Sequence, residues 1–234
     1  MDSKVVNREI KARIWPLLRA RGFEVFSSRS AWRHLSDRIE VVNFQSFNSY
    51  LADGLGCTTF SFSVNLGSYL LFIPHHLEPS RIKDKNGRLL PEEYDCPFRG
   101  ILSSSISQPI PRPDNDIWCI DESGANLAAS MQDVSDGLIN RGLAWFAQFE
   151  QPAAVLRILR NNPERRPQLF GFGNNPSPIR HYFSGYVALH LREFTTAIEH
   201  LRCAQGTGCF ASVNERLTKD IERALQEVTL ANEQ

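Results

Sequence analysis

A chain of 234 residues, with 42% hydrophobic and 10% aromatic residues, is long enough to bury a sizeable apolar core and too apolar to be disordered or fibrous. Its 26 lysines and arginines equal its 26 aspartates and glutamates, a balance that argues against indiscriminate affinity for nucleic acid or an anionic membrane and leaves room for a local patch. The N-terminus lacks the apolar core of a signal peptide and no apolar run approaches a membrane span. Cys57, Cys96, Cys119, Cys203 and Cys209 form no CxxC pair. The expectation is a reduced, cytoplasmic protein.

Taken in chain order, Ile10, Ile14, Leu17 and Leu18 recur at helical spacing and predict an amphipathic helix over 3–21, with Ser3 as N-cap and Gly22 as stop. Pro16 should kink it or restart it. From 23 to 73 the pattern turns to β. Thr58, Phe60, Phe62, Val64 and Leu66 alternate with Thr59, Ser61, Ser63 and Asn65, which predicts a strand with one buried and one polar face. Segments 31–35 and 38–45 flank Ser36-Asp37, a hairpin turn, so the sheet reads as an antiparallel meander. Residues 84–91, around Lys85-Asn86-Gly87, and 108–114, with Pro109, Pro111 and Pro113, are expected loops. Between and after them, 98–103 and 117–120 are expected short strands.

From Gly124 the period is helical: Leu127, Met131, Val134, Leu138, Trp145 and Phe149 share one face, and Pro152 closes that helix. A short helix over 153–160 precedes a loop over 161–178, where Phe170-Gly171-Phe172-Gly173-Asn174-Asn175 marks a boundary. Helices over 179–190, 194–204 and 210–231 follow. The expected fold class is α+β: an antiparallel sheet meander packed by helices over 1–160, followed by a C-terminal helical extension over 161–234.

Two stretches carry resemblances. Gly185, Ala188, Ala197 and Ala204, set in paired helices near 179–204, are similar to one tetratricopeptide-type hairpin; a solenoid needs about three such repeats. Leu18-x-x-x-Gly22-Phe23, a strand containing Trp32, Val41-Val42-Asn43-Phe44-Gln45 and Phe62-Ser63-Val64-Asn65-Leu66-Gly67 form a second pattern. It continues through 96–102, Asp116-Ile117-Trp118 and Leu143-Ala144-Trp145-Phe146. Over roughly residues 5–150 this resembles the bacterial domain of unknown function 4304. The resemblance implies a fold and a bacterial origin and carries no catalytic residues with it.

Candidate chemistry is sparse. Asn43, Gln45 and Asn65 are amides inside strands, where they either converge on one sheet face as a hydrogen-bonding site or satisfy neighbouring backbone. Trp32, His34, Arg99 and Trp118 complete the set of candidate binding residues. His75-His76, near Glu78, invites a metal reading, but adjacent strand residues face opposite ways, so the pair reads as a solvated loop. No nucleophile elbow, metal-ligand spacing or phosphate loop is present, and no catalytic residue, metal or cofactor is assigned. Ser103-Ser104-Ser105 reads as a strand end. Arg157, Arg160, Arg165 and Arg166, with Phe170 and Phe172 nearby, either grip nucleic acid or complement a helix dipole and solvate a turn.

The functional expectation is a non-catalytic module that binds another macromolecule, most concretely an immunity or defence-associated protein that blocks a toxin. The alternatives are an enzyme or nucleic-acid processor combining His34, Arg99 and a loop carboxylate on the polar sheet face, and a structural subunit that docks through its C-terminal helices. Oligomeric state is not legible.

Overall fold

The computed structural model describes residues 3–77, 82–108, 113–161 and 169–233. The side chain of Ser3, Glu78, Pro109, Pro111, Arg165 and Arg166 lie outside the described residues.

The N-terminal helix runs as α1 (Ser3–Glu9), a π turn (Ile10–Ile14) and α2 (Trp15–Arg19). Pro16 has no N–H to give and its ring crowds the carbonyl four residues back, so the expected kink takes the form of a widened turn just before it. Val6, Ile10, Ile14 and Leu18 are buried.

Five strands follow: β1 (Val25–Phe26), β2 (Ser30–His34), β3 (Arg38–Ser46), β4 (Phe62–Leu70) and, after a separate hairpin, β7 (Phe98–Ile101). They pair antiparallel in the order β1-β2-β3-β4-β7. Ser36-Asp37 is the expected hairpin turn, closed by the Leu35 N–H on the Arg38 carbonyl at 2.9 Å. The bridge of Phe170 to Arg99 lengthens the β7 edge.

Several expectations are corrected. β4 is buried at all nine positions, so its alternation separates two covered faces rather than core from solvent. One face carries Phe44, Phe62, Val64, Leu66 and Phe98 into the main core; the other packs Trp32, Ile39, Val41 and Tyr69 beneath the hairpin β5 (Lys83–Lys85) and β6 (Arg88–Leu90). That hairpin stands where a loop was expected. Asn86 and Gly87, at φ 57° and 77°, supply the two left-handed residues that a tight hairpin demands. A helix, α3 (Ser49–Leu55), interrupts the β region; Asn48 caps it by accepting the Leu51 N–H at 2.8 Å and Gly56 ends it at φ 69°. The segment 117–120 meets the sheet through one bridge, Phe62 to Trp118.

The long helix is α4 (Leu127–Gly137), a second π turn (Leu138–Gly142) and α5 (Leu143–Ala147). Pro152 opens α6 (Pro152–Arg160) instead of closing its predecessor, because proline suits a first helical turn. Then come α7 (Pro178–His190), α8 (Phe194–Gly206) and α9 (Asn214–Asn232). α7 and α8 approach so closely that a Cβ on Gly185 would lie 2.5 Å from Leu201 Cδ2. One apolar core includes Val6, Phe44, Phe98, Phe149, Phe172, Tyr182 and Leu217, so it extends across residue 161. The fold is α+β.

Candidate functional site

The amides do converge. Asn43 and Asn65 are opposite each other in register and share a face with Gln45. Asn43 Nδ2 donates to Ser30 Oγ at 3.0 Å and Asn65 Nδ2 to Gln45 Oε1 at 2.8 Å. Their amides therefore bind each other and a neighbouring strand, and Asn65 is buried. Trp32, on the same face, donates its indole N–H to the Pro91 carbonyl at 2.8 Å beneath the hairpin.

His34 holds Glu24 through Nδ1 at 2.9 Å and the Leu89 carbonyl through Nε2 at 2.8 Å. Arg99 donates to Glu93 at 2.6 Å and lies 4.8 Å over the Phe170 ring. β3 and β4 stand between β2 and β7, which puts His34 and Arg99 about 14 Å apart or more at ordinary strand spacing. The site that would join them with a carboxylate is not assembled.

The basic segment with its aromatics also disperses. Arg160 pairs with Glu193 at 3.0 Å, Phe172 is buried against Phe98, and Phe170 is taken by Arg99. Among its described members Arg157 and Arg160 are both exposed, and of the two only Arg157 has no carboxylate partner among the described residues. His76 is likewise not a solvated loop residue: it packs edge-on to Tyr182, Phe183 and Phe210. Burial, then the neighbouring His75, pulls its pKa below the usual imidazole value. No three metal-ligating side chains gather among the described residues, and none of the described helices is long and apolar enough to cross a membrane.

Trp118 leads to the site that sequence reasoning missed. Its ring is fully buried, stacked on Phe62, and its indole N–H donates to Asp133 Oδ2 at 2.8 Å. The same carboxylate, buried on α4, accepts Ser104 Oγ at 2.9 Å and the Ser105 N–H at 3.0 Å. A buried carboxylate persists when donors surround it, and here the donors fix the turn that follows β7. Gln108 braces that turn further, donating to Ser104 Oγ and accepting the Cys119 N–H, both at 2.9 Å.

The turn forms one wall of a cleft of about 610 Å³ between the end of β7 and α5. Leu66, Leu102, Ala144 and Trp145 give it an apolar floor, and Ser103, Ser105, Arg141 and Gln148 a polar rim. Arg141 donates to the Ser103 carbonyl at 2.7 Å and Ser105 Oγ at 3.1 Å. It has no carboxylate partner among the described residues, so the guanidinium is aimed without being neutralised. The sequence held one clue. Asp133 falls between Ser130 and Gly137 at helical spacing, on the buried flank of α4.

A family described as "Domain of unknown function (DUF4304)" matches residues 14–148, more than half of the chain. That span contains the sheet, Asp133, Arg141 and the cleft lining. No curated protein matches the chain, and no solved structure does.

Proposed function

The chain belongs to the DUF4304 family, and on that footing we propose that it is a non-catalytic binding protein whose cleft beside β7 receives an acidic, partly apolar group of a partner protein. The supporting observation is the preset Arg141 guanidinium above an apolar floor containing Trp145. Protein interfaces concentrate their energy in this anatomy: an apolar centre, an arginine or aromatic anchor and a polar rim. Two of the five arginine N–H donors are spent on the turn, and the remainder suit a carboxylate. A group pre-ordered by Asp133 and the serine turn loses little freedom on binding.

In the immunity form of this proposal the partner is a toxin, which needs only to be covered. The test compares wild type with Arg141→Glu and Ala144→Arg as immobilised baits against lysate of the source cell, followed by calorimetry on the recovered protein. The proposal expects one protein held by wild type and weakened at least about 30-fold by either substitution, the scale of an interface hot spot. Equal retention by all three baits refutes it.

A further inference from the structure

We infer that the exposed side of the N-terminal helix is a contact surface for the phosphodiester backbone of a nucleic acid. Although the chain carries no net charge, residues 3–33 contain eight lysines and arginines against two carboxylates, a local charge of +6 that the remaining residues offset. Six of those cations are exposed: Lys4, Arg8, Lys11, Arg13 and Arg19 along α1, the π turn and α2, and Arg21 in the turn that follows. Glu9 is the helix's single acid; it pairs with Arg13 at 2.9 Å and lies 4.0 Å from Arg8. Lys11, Arg19 and Arg21 have no acidic partner among the described residues.

A second observation extends the patch. The turn after β1 is docked on this helix by the Trp15 indole N–H, which donates to the Ser27 carbonyl at 3.2 Å. That turn carries Arg29, half-buried, whose Nη1 is sealed from water and has no acceptor among the described residues. Burial without an acceptor disfavours the charged guanidinium. An anion held on this face would favour the charged guanidinium through its field, without contact at the sealed nitrogen.

Three features select a phosphodiester backbone over other anionic partners. At 1.5 Å per residue the helix from Lys4 to Arg19 spans about 22 Å, between six and seven base-pair steps. Between the cations the exposed positions are Ala12, Pro16 and Ala20, small side chains that let a sugar-phosphate strand come close and offer nothing to insert into lipid. Protein interfaces are built around an apolar centre that this run of cations lacks, whereas nucleic-acid surfaces concentrate positive charge. The sequence offered the arginine segment over 157–166 as one alternative place for such contact; the charge run on the N-terminal helix favours the opposite end of the chain. This surface is separate from the cleft and does not depend on it.

The test is fluorescence polarisation with labelled 20-base-pair DNA and RNA duplexes on the full chain. If four phosphates are neutralised, affinity for at least one duplex falls with salt at a slope of about −3.6, roughly 150-fold between 50 and 200 mM. Lys11→Glu/Arg19→Glu/Arg21→Glu should lose more than 30-fold and melt like wild type, since the three positions are exposed. The charge-preserving Lys11→Arg/Arg19→Lys/Arg21→Lys should stay within threefold. DNA and RNA arms identify the source of the backbone, and binding of either supports the inference. It is overturned by no binding at 50 mM salt or by equal binding of the charge-reversed variant. Tighter binding to phosphatidylserine vesicles, or a low-salt dimer that vanishes in that variant, overturns it as well.

Discussion

Replacing Asp133 by alanine isolates the carboxylate that builds the cleft wall. Three donors lose their acceptor: Trp118 Nε1, Ser104 Oγ and the Ser105 N–H. They are not equivalent. Ser104 can turn to the Ile106 carbonyl, already 3.4 Å away, and the Ser105 N–H lies at an exposed residue where water replaces the loss. The Trp118 indole is fully buried and keeps an unsatisfied N–H. One orphaned buried donor plus two partly replaced charged hydrogen bonds sums to about 3–4 kcal/mol. Against a total stability of about 5–15 kcal/mol the variant still folds. At a urea slope of about 2–3 kcal/mol/M, circular dichroism should show its midpoint lowered by about 1–2 M. Trp118→Phe removes the one donor that cannot be re-satisfied, so in that background Asp133→Ala should cost about 1.5 kcal/mol less. A loss below about 1 kcal/mol for Asp133→Ala, or simple additivity with Trp118→Phe, would refute the account of Asp133 as the organiser of the 103–105 turn.

Gly185→Ala should destabilise by about 1–3 kcal/mol in the same assay, because the new methyl would lie 2.5 Å from Leu201 Cδ2 and 3.1 Å from the Leu201 nitrogen; an unchanged midpoint contradicts the close packing of α7 on α8. Acidification should weaken the fold through two imidazoles. Burial lowers the pKa of both His76 and His200, helped by His75 in one case and in the other by His181, whose Nδ1 is 2.9 Å from that of His200. The unfolded chain then binds more protons, so this stability is complete above the ordinary histidine pKa of about 6.5 and is lost as pH falls from there through the lowered folded values. Glu40, whose pKa burial raises against the pull of Arg33 and Arg38, acts in the opposite sense at lower pH. His76→Asn/His200→Asn should therefore flatten stability between pH 7.5 and 5.5, and an undiminished slope rules the pair out. Thiol labelling at pH 8 should reach the exposed Cys203 and Cys209 quickly and Cys96 only on unfolding, since burial raises the Cys96 thiol well above its usual range; comparable rates at Cys96 would contradict its burial.

What the sequence made legible followed from period and turn chemistry. The two-residue alternation around β4 and the Ser36-Asp37 turn set strands and register, and register alone brought Asn43, Gln45 and Asn65 onto one face. Helical spacing found the N-terminal helix and α7, α8 and α9 within a few residues of their observed ends. α3 hid inside a β-rich stretch because its packing against Ile117 and Cys119 is tertiary; its marks were Asn48 and Gly56, a cap and a stop. β5 and β6 are three residues each, too short for any alternation, and only Asn86-Gly87 betrayed them. The cleft was the hardest to see. Asp133 meets Ser104 at a separation of 29 residues and Arg141 meets Ser103 at 38; each pairing depends on a helix lying against a loop.

The family match ends at residue 148, yet the physical unit that shapes the cleft does not. Phe98, in the strand that leads into the serine turn, packs against Phe149 at 4.8 Å and Phe172 at 5.5 Å between ring centres. Phe170 occupies the outer edge of the same strand, exchanging two hydrogen bonds with Arg99 at 2.8 and 2.9 Å. Farther along, Tyr182 on α7 donates to the Pro74 carbonyl and Arg216 on α9 to that of His75. Phe149, Phe172 and Tyr182, all buried, contribute about 1.5–3 kcal/mol each through burial, together about 4.5–9 kcal/mol, comparable with the whole margin by which a domain is folded. The residues after 148 therefore hold β7 in place from its outer edge. An exposed edge strand pairs readily with other chains, and Phe170 denies that edge at Arg99 while the cleft opens beyond it, at Ile101 and the serines. The residues after 148 thus set which part of the β7 edge stays open, and with it where the partner of the proposed function would meet the strand.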